Sequence, residues 1–252
     1  PFSIRAKHAL YDRMVFRNMR RMLGMDRIRR GASGAAPIAP QLLSWFRAIG
    51  VPVLEGYGMT ESSGIISLNG IDTNKVGTVG KSVDGAEIRI AEDGEIQYRA
   101  GNMFEGYMNL PDKTAESFTE DGWLRTGDLG TMDARGYVRV TGRVKEMIIR
   151  GGENLFPAEI ENRLLEHPDV AEVAVVGLPD DKWGEIVAAA IRPAPGATLD
   201  PEALKAHCRA AMAPMKTPVA WHHAEAFPLT GSGKIQKFAV RDAIVAGELP
   251  SL

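Results

Sequence analysis

The spacing of apolar side chains changes twice along this chain, and each change predicts a different style of structure. Residues 6–23 place Met14, Phe16, Met19, Met22 and Leu23 among basic side chains, which predicts an amphipathic helix. A short strand over Arg27–Gly31 and a small-residue loop over Ala32–Pro37 follow. Leu42, Leu43 and Phe46 have helical spacing within Pro40–Ile49, and Gly50 ends that helix. Val51–Leu54 then reads as a strand and Glu55–Gly64 as a glycine-punctuated loop. Strand, loop, helix and strand in this order are α/β in style.

From Val76 the pattern becomes one of alternation. Ala86–Ile90 and Glu95–Tyr98 flank Glu92-Asp93-Gly94, which predicts a hairpin. Asp128–Met132 and Tyr137–Thr141 flank Asp133-Ala134-Arg135-Gly136, a second one, so a distorted antiparallel β-barrel is expected here. After Gly142 the style shifts again. A strand at Met147–Arg150 precedes a helix at Pro157–Glu166 with Ile160 and Leu164 on one face. Val170–Leu178 and Glu185–Arg192 are strands rich in Val and Ala. Asp200-Pro201-Glu202 opens a helix that turns Leu204, Cys208 and Ala211 inward. Pro218–Phe227 is a third strand and Ile235–Val245 a last helix. The expected fold is therefore α+β or α/β, with a boundary at Gly142. Residues 1–142 form a small α/β unit plus the antiparallel barrel, and 143–252 a small α+β domain with a three-stranded sheet.

Composition narrows the classes. Of 252 residues 44% are hydrophobic and 25% charged, with a formal net charge of −2, so nothing marks the chain as a polyanion binder. Charge is uneven, however: residues 1–30 carry nine Lys/Arg against Asp12 and Asp26. That leaves open a peripheral contact with an anionic membrane, beside the plainer reading of a solvated helix packed on further protein. One cysteine, Cys208, excludes an internal disulfide framework and fits a reducing, cytoplasmic setting. No apolar run is long enough to predict a membrane-spanning helix. The first residue is Pro1 rather than Met, so a longer parent protein is expected.

Four segments offer chemistry. Gly56-Tyr57-Gly58-Met59-Thr60-Glu61-Ser62 combines glycines that admit a close ligand, a flat ring, and oxygens for phosphate or Mg²⁺; a tight turn with a surface tyrosine explains it equally well. In Arg125-Thr126-Gly127-Asp128, Asp128 is an acceptor for a ribose diol or simply a turn residue ahead of the hairpin. Gly142-Arg143-Val144-Lys145 with Gly151-Gly152 gives a cation at a domain junction and a bare backbone, or a linker and a β-turn. Thr230-Gly231-Ser232-Gly233-Lys234 carries a mobile point charge, or a solvated lysine on a linker; its spacing does not match a P-loop. His222-His223 and Cys208 read as structural, having no metal-ligand spacing.

In this order the four segments resemble the core motifs of the adenylate-forming enzymes, a superfamily of acyl-CoA synthetases, peptide-synthetase adenylation domains and firefly-type luciferases. The resemblance runs from about Gly31 to Val245. Gly151–Glu161 and the Gly177-Leu178-Pro179-Asp180 to Trp183-Gly184-Glu185 stretch are most similar to acyl-CoA synthetases. The resemblance implies an acid–CoA ligase that uses ATP, Mg²⁺ and coenzyme A. Gly34, Ala35, Ala36 and Pro37 would line the adenine site, Tyr57 and Gly58 would sit beside the base, and Thr60 would contact phosphate. Glu61 would ligate Mg²⁺, Asp128 hold the ribose, Arg143 contact the nucleotide and Lys145 act as the hinge of a mobile lid domain over 143–252. Gly152 would border the coenzyme A tunnel, and Lys234 would bridge carboxylate and nucleotide during adenylation. Leu10–Glu55 resembles long-chain fatty acyl-CoA synthetases, which points to a fatty acid. Two departures stand out: the family's Ser/Thr/Gly-rich phosphate loop is not in this sequence, so the chain by itself is expected to be inactive, and Lys145 stands where relatives often carry Asp. An adenylation domain loading a carrier protein, and a non-catalytic binding module, are the alternative readings.

Overall fold

A computed structural model describes residues 3–36, 38–231 and 233–252. The chain separates into two compact units, one made of residues 1–126 and 130–140, the other of 127–129 and 141–252.

The first unit begins with a helical segment in three pieces: α1 (Ile4–Tyr11), a π-helical stretch (Asp12–Phe16) and α2 (Arg17–Met22). Its surface exposes Ile4, Leu10, Met14 and Met22. Among the described residues, no helix is long and apolar enough to cross a membrane. The strand expected at Arg27–Gly31 lies further on, at β1 (Gly31–Ser33), because only these residues find a parallel partner, in β2 (Val53–Tyr57). Between them α3 (Pro40–Ala48) is stopped by Gly50 at φ 84°. Glu55-Gly56-Tyr57, expected as loop, is therefore strand; it also pairs antiparallel with β3 (Ser67–Leu68), which pairs with β4 (Lys81–Ser82).

The alternating segments form a second four-stranded sheet in the order β5 (Ala86–Ile90), β6 (Glu95–Ala100), β7 (Leu124–Met132), β8 (Val138–Arg143). Helix α4 (Pro111–Glu116), absent from the sequence reading, lies between β6 and β7. Two backbone bonds, Val79 N–H to the Val138 carbonyl (2.9 Å) and Val138 N–H to the Gly80 carbonyl (2.8 Å), join the two sheets beside β8. Gly80 makes this join, since a Cβ there would run into the backbone of Leu68 and Asn69. The result is the barrel-like curvature that the alternation predicted.

In the second unit, β9 (Ile148–Arg150) and β10 (Glu153–Leu155) form a tight hairpin, and β11 (Val170–Asp180) and β12 (Gly184–Pro193) a long one. β13 (Ala220–His223) joins β12 in parallel, so the expected three-stranded sheet has five strands. Alternation along β11 and β12 buries both faces. Val173, Val175, Val187, Ala189 and Ile191 meet α5 (Pro157–Leu164) and α6 (Pro201–Arg209) through Ile160, Leu164, Leu204 and Cys208. Ala174, Val176, Ala188 and Ala190 meet Val240 and Ile244 of α7 (Lys237–Val245). Asp200 caps α6 by accepting from Glu202 N–H at 3.0 Å, as expected. Ala211 is exposed, because α6 ends at Arg209 before it can share the inner face.

Candidate active site

The parallel pairing of β1 and β2 brings two of the predicted segments together in the first unit. Gly34 follows β1 and lies against Gly56; a Cβ on Gly34 would sit 3.2 Å from the Gly56 carbonyl oxygen. Ala35 has φ 65°, a left-handed conformation that a non-glycine residue adopts only under constraint. Pro37, expected to complete this strip, lies outside the described residues. Tyr57 is half-buried and packs on the cluster of Ile66, Tyr98 and Leu124. Gly58 is required by the loop itself, because a Cβ there would stand 2.7 Å from both the Gly64 carbonyl carbon and the Ile65 Cα. The reading of Gly58 as room for a ligand thus meets a fold-based reason first.

Thr60, Glu61 and Ser62 form one 3₁₀ turn after β2, closed by Ser63 at φ 56°. Ser62 is buried with its hydroxyl on the Met59 backbone, while Thr60 is exposed. Glu61 Oε1 accepts a hydrogen bond from the Tyr107 hydroxyl, and this contact holds the phenol above its ordinary pKa. Tyr107 was not found in the sequence, since nothing in the spacing of two residues 46 apart connects them. Among the described residues no group of three or more His, Cys, Asp or Glu is arranged to hold a metal. A single carboxylate beside a hydroxyl suits Mg²⁺, which commonly takes one or two carboxylates and draws its other ligands from phosphate and water.

Asp128 and Arg143 meet in the second unit. Asp128 lies within β7 rather than ahead of a hairpin, is 8% exposed, and its Oδ1 accepts from Arg143 Nε at 3.1 Å. The Arg143 side chain is 54% exposed. A buried acceptor and a half-exposed cation are thus held side by side. Lys145 is exposed on the 3₁₀ turn Val144–Glu146. Gly151 and Gly152, at φ 59° and 84°, form the two-residue turn of the β9–β10 hairpin, a turn that needs left-handed backbone at both positions. Trp183 covers Gly151, to which a Cβ would add a contact of 2.9 Å, whereas Gly152 faces open space.

A cavity of about 570 Å³ adjoins this turn, lined among others by Arg150, Trp183, Lys205, Arg209, Thr217 and Trp221. The Thr217 hydroxyl is buried and, among the described residues, has no hydrogen-bond partner. The cavity was not foreseen in the sequence, where its basic residues lie on two separate elements, β9 and α6.

Lys234 sits on a stapled loop. Its N–H donates to Thr230 Oγ1 at 3.0 Å, its carbonyl accepts from Thr230 N–H at 2.7 Å, and Leu229 bridges Ile235. The loop is therefore shaped, while no ion pair holds the Lys234 ammonium among the described residues. Lys237, three residues on, is its opposite. Its Nζ lies 2.8 Å from Glu161 Oε1 and 3.0 Å from Glu146 Oε2. Burial disfavours the Lys237 charge, but the two carboxylates outweigh it and hold the ammonium above its ordinary pKa. His222 Nδ1 contacts the Leu249 carbonyl at 3.2 Å, and Cys208 is fully buried with its thiol pushed up to about 11 by burial. Both are structural residues.

Comparison with known proteins places the chain in a family. Residues 7–108 match the family described as AMP-binding enzyme, and residues 159–234 match the AMP-binding enzyme C-terminal domain. The chain belongs to the adenylate-forming superfamily. Within it, acyl-CoA ligases are among the relatives. The long-chain-fatty-acid–CoA ligase FadD15 of Mycobacterium bovis is 41% identical over 203 residues, covering 80% of this chain and 32% of that protein. A feruloyl-CoA synthase of an Amycolatopsis species is 39% identical over 220 residues, covering 82% and 45%. The structure of ATP-bound MatB from Rhodopseudomonas palustris superposes with a TM-score of 0.82 at 34% identity, covering 87% of this chain and 46% of that one. The chain thus spans about a third to just under half the length of the curated relatives first matched. Its adenylate-forming fold is shared across 87% of its own length.

Proposed function

We propose that this chain supplies the nucleotide and coenzyme A contacts of an ATP-dependent acid–CoA ligase. A carboxylate oxygen attacks the α-phosphorus of ATP, releasing pyrophosphate and leaving an acyl-adenylate. The coenzyme A thiol, losing its proton, then attacks the acyl carbon and AMP departs.

The observation that carries this reading is Lys234: a shaped loop that presents an ammonium with no ion-pair partner among the described residues. A cation held ready in this way stabilises charge that develops at a transferring phosphoryl group. The superfamily assignment supports the same role. Asp128 accepts from the ribose hydroxyls, with Arg143 beside it to meet nucleotide phosphate. Tyr57 offers a ring face for stacking, and Gly34, Ala35 and Ala36 a thin backbone, for adenine. Thr60 donates to phosphate, and Glu61, oriented by Tyr107, is the residue that would hold Mg²⁺. That ion, when bound, neutralises phosphate charge. Gly152 borders the path of the thiol arm, and the basic cavity beside it suits the phosphorylated end of coenzyme A. Residues 143–252 act as a mobile lid turning about Lys145. The acid is a fatty acid, a reading supported by the likeness to FadD15.

In the complete gene product, Lys234→Ala is expected to slow acyl-adenylate formation by roughly 10²–10³-fold. Thioester formation from supplied acyl-adenylate should be largely spared. Pyrophosphate exchange and single-turnover thioester assays separate the two; equal loss in both sinks the assignment. A panel of fatty, aromatic and short dicarboxylic acids tests the substrate, and a preference for a non-fatty acid overturns that part.

A further inference from the structure

Lys237 stands out as the buried cation that the adenylation chemistry does not use. It is the first residue of α7, three positions after Lys234. Its ammonium is tied to two elements at once. Glu146 belongs to the 3₁₀ turn that carries Lys145, and Glu161 belongs to α5. The side chains of Lys237 and Glu161 are only 18% and 17% exposed, and Glu161 also accepts the Val175 N–H at 2.8 Å. The carboxylate that anchors Lys237 is thus itself fixed to strand β11, which pairs along its length with β12.

From this geometry we infer that Lys237 is a positioning residue, which fixes the Lys234 loop to the Glu146 turn so that the reactive lysine and the proposed hinge move as one piece. The inference rests on the adenylation role proposed for Lys234. Its physical content is specific. Among the described residues, the loop from Thr230 to Ile235 is closed by its own hydrogen bonds, by Gln236 donating to the Pro228 and Leu229 carbonyls, and by Ile235 against the α7 cluster. Val240 and Ile244 seat α7 on the sheet and Ile235, just ahead of it, is partly buried against the same cluster, while Lys237 at the helix start is held by charge. The Lys237 ion pairs add the attachment that ties this helix start to elements outside the α7 cluster. They connect to the turn preceding β9, one residue from Lys145. Without them Lys234 would keep its charge and lose its place, and a displacement of about 1 Å at a reacting centre can cost on the order of 10²-fold in rate.

Removing Lys237 alone would strand two carboxylates and could unfold the unit, so the informative protein is the charge-neutral triple variant Lys237→Met, Glu146→Gln, Glu161→Gln. Two measurements are made on it. In the 252-residue chain, hydrogen exchange at the Gly233 and Lys234 amides, both bonded to Thr230, should accelerate by at least about tenfold, while amides of β11 and β12 keep their protection. In the complete gene product, adenylation should fall by at least about tenfold relative to thioester transfer, at a temperature well below the melt of every protein compared. Lys237→Arg, which keeps the charge, should retain more of both properties than the triple variant. A lysine that only props the fold would lower the melting temperature and leave the ratio of the two half-reactions unchanged. That outcome overturns the inference, as does unaltered exchange at Gly233 and Lys234. Lys234→Ala is run beside it. If Lys234→Ala leaves adenylation intact, the functional reading has failed, and the exchange measurement alone decides whether Lys237 holds the loop.

Discussion

Glu55 makes a sharp test of how the first unit is stabilised. It lies on β2, half-buried, one residue before Gly56, and burial alone pushes its carboxyl from an ordinary 4.5 up to about 7. No hydrogen bond or ion pair to that carboxylate is formed among the described residues. The folded state therefore binds the proton more tightly than the unfolded chain does. Stability from this group is fully present below about 4.5 and is lost as pH rises towards about 7. Since each tenfold change in proton affinity is ~1.4 kcal/mol, the loss amounts to about 3 kcal/mol by pH 8. Glu55→Gln keeps the shape and removes the charge. The variant's advantage should be small at pH 5 and grow to roughly 10 °C in the melting of the first unit by pH 8. Paired thermal melts across pH 5–8 read this difference directly, because other titrating groups are common to both proteins. Parallel curves, with no pH-dependent gap, would refute the claim that burial strains this carboxylate.

Three other outcomes are expected. Gly58→Ala should destabilise the first unit by about 1–3 kcal/mol in denaturant titration, because its Cβ meets backbone at Gly64 and Ile65 that cannot rotate away; an unchanged midpoint would show that the loop is free to shift. Lys145→Pro in the complete gene product should retain adenylation and lose most coenzyme A transfer with a normal melt, since proline fixes φ near −65° at the proposed hinge; wild-type transfer in that variant moves the hinge elsewhere. Cys208, fully buried with its thiol pushed up to about 11, should resist a thiol reagent at pH 8 until the second unit unfolds; prompt labelling of the native chain would contradict its core position.

Periodicity carried most of the architecture. The alternating runs of β5 and β6, the Val- and Ala-rich runs of β11 and β12, and the Asp200-Pro201 start of α6 stand within two residues of their predicted places, because local pattern and capping chemistry decide them. What the pattern missed was decided at long range. Glu55-Gly56-Tyr57 read as loop because of its glycine, yet β1 and β3 recruit it as strand from either side. β3, β4 and β10 are only two or three residues long and leave no period to detect. At the site, the motif order picked out Asp128, Arg143 and Lys234, and the fold pairs the first two. The supporting contacts were not legible: Tyr107 on Glu61, and the meeting of residues 146, 161 and 237, connect positions whose separation carries no signal.

The long β11–β12 hairpin has a consequence for the order in which the second unit assembles. Its strands pair in register from Val173 opposite Ile191 to Asp180 opposite Gly184, across a connection of three residues. Closing so short a loop costs little chain entropy, and each further pair adds at the next rung of a zipper. β13 is different: it reaches β12 in parallel only after α6 and a crossover from Pro193 to Ala220. Helix α7 comes later still and lays Val240 and Ile244 on a surface that the hairpin must already present. A nascent chain would thus build its sheet outward from β11 and β12, and the loop bearing Lys234 would take shape last.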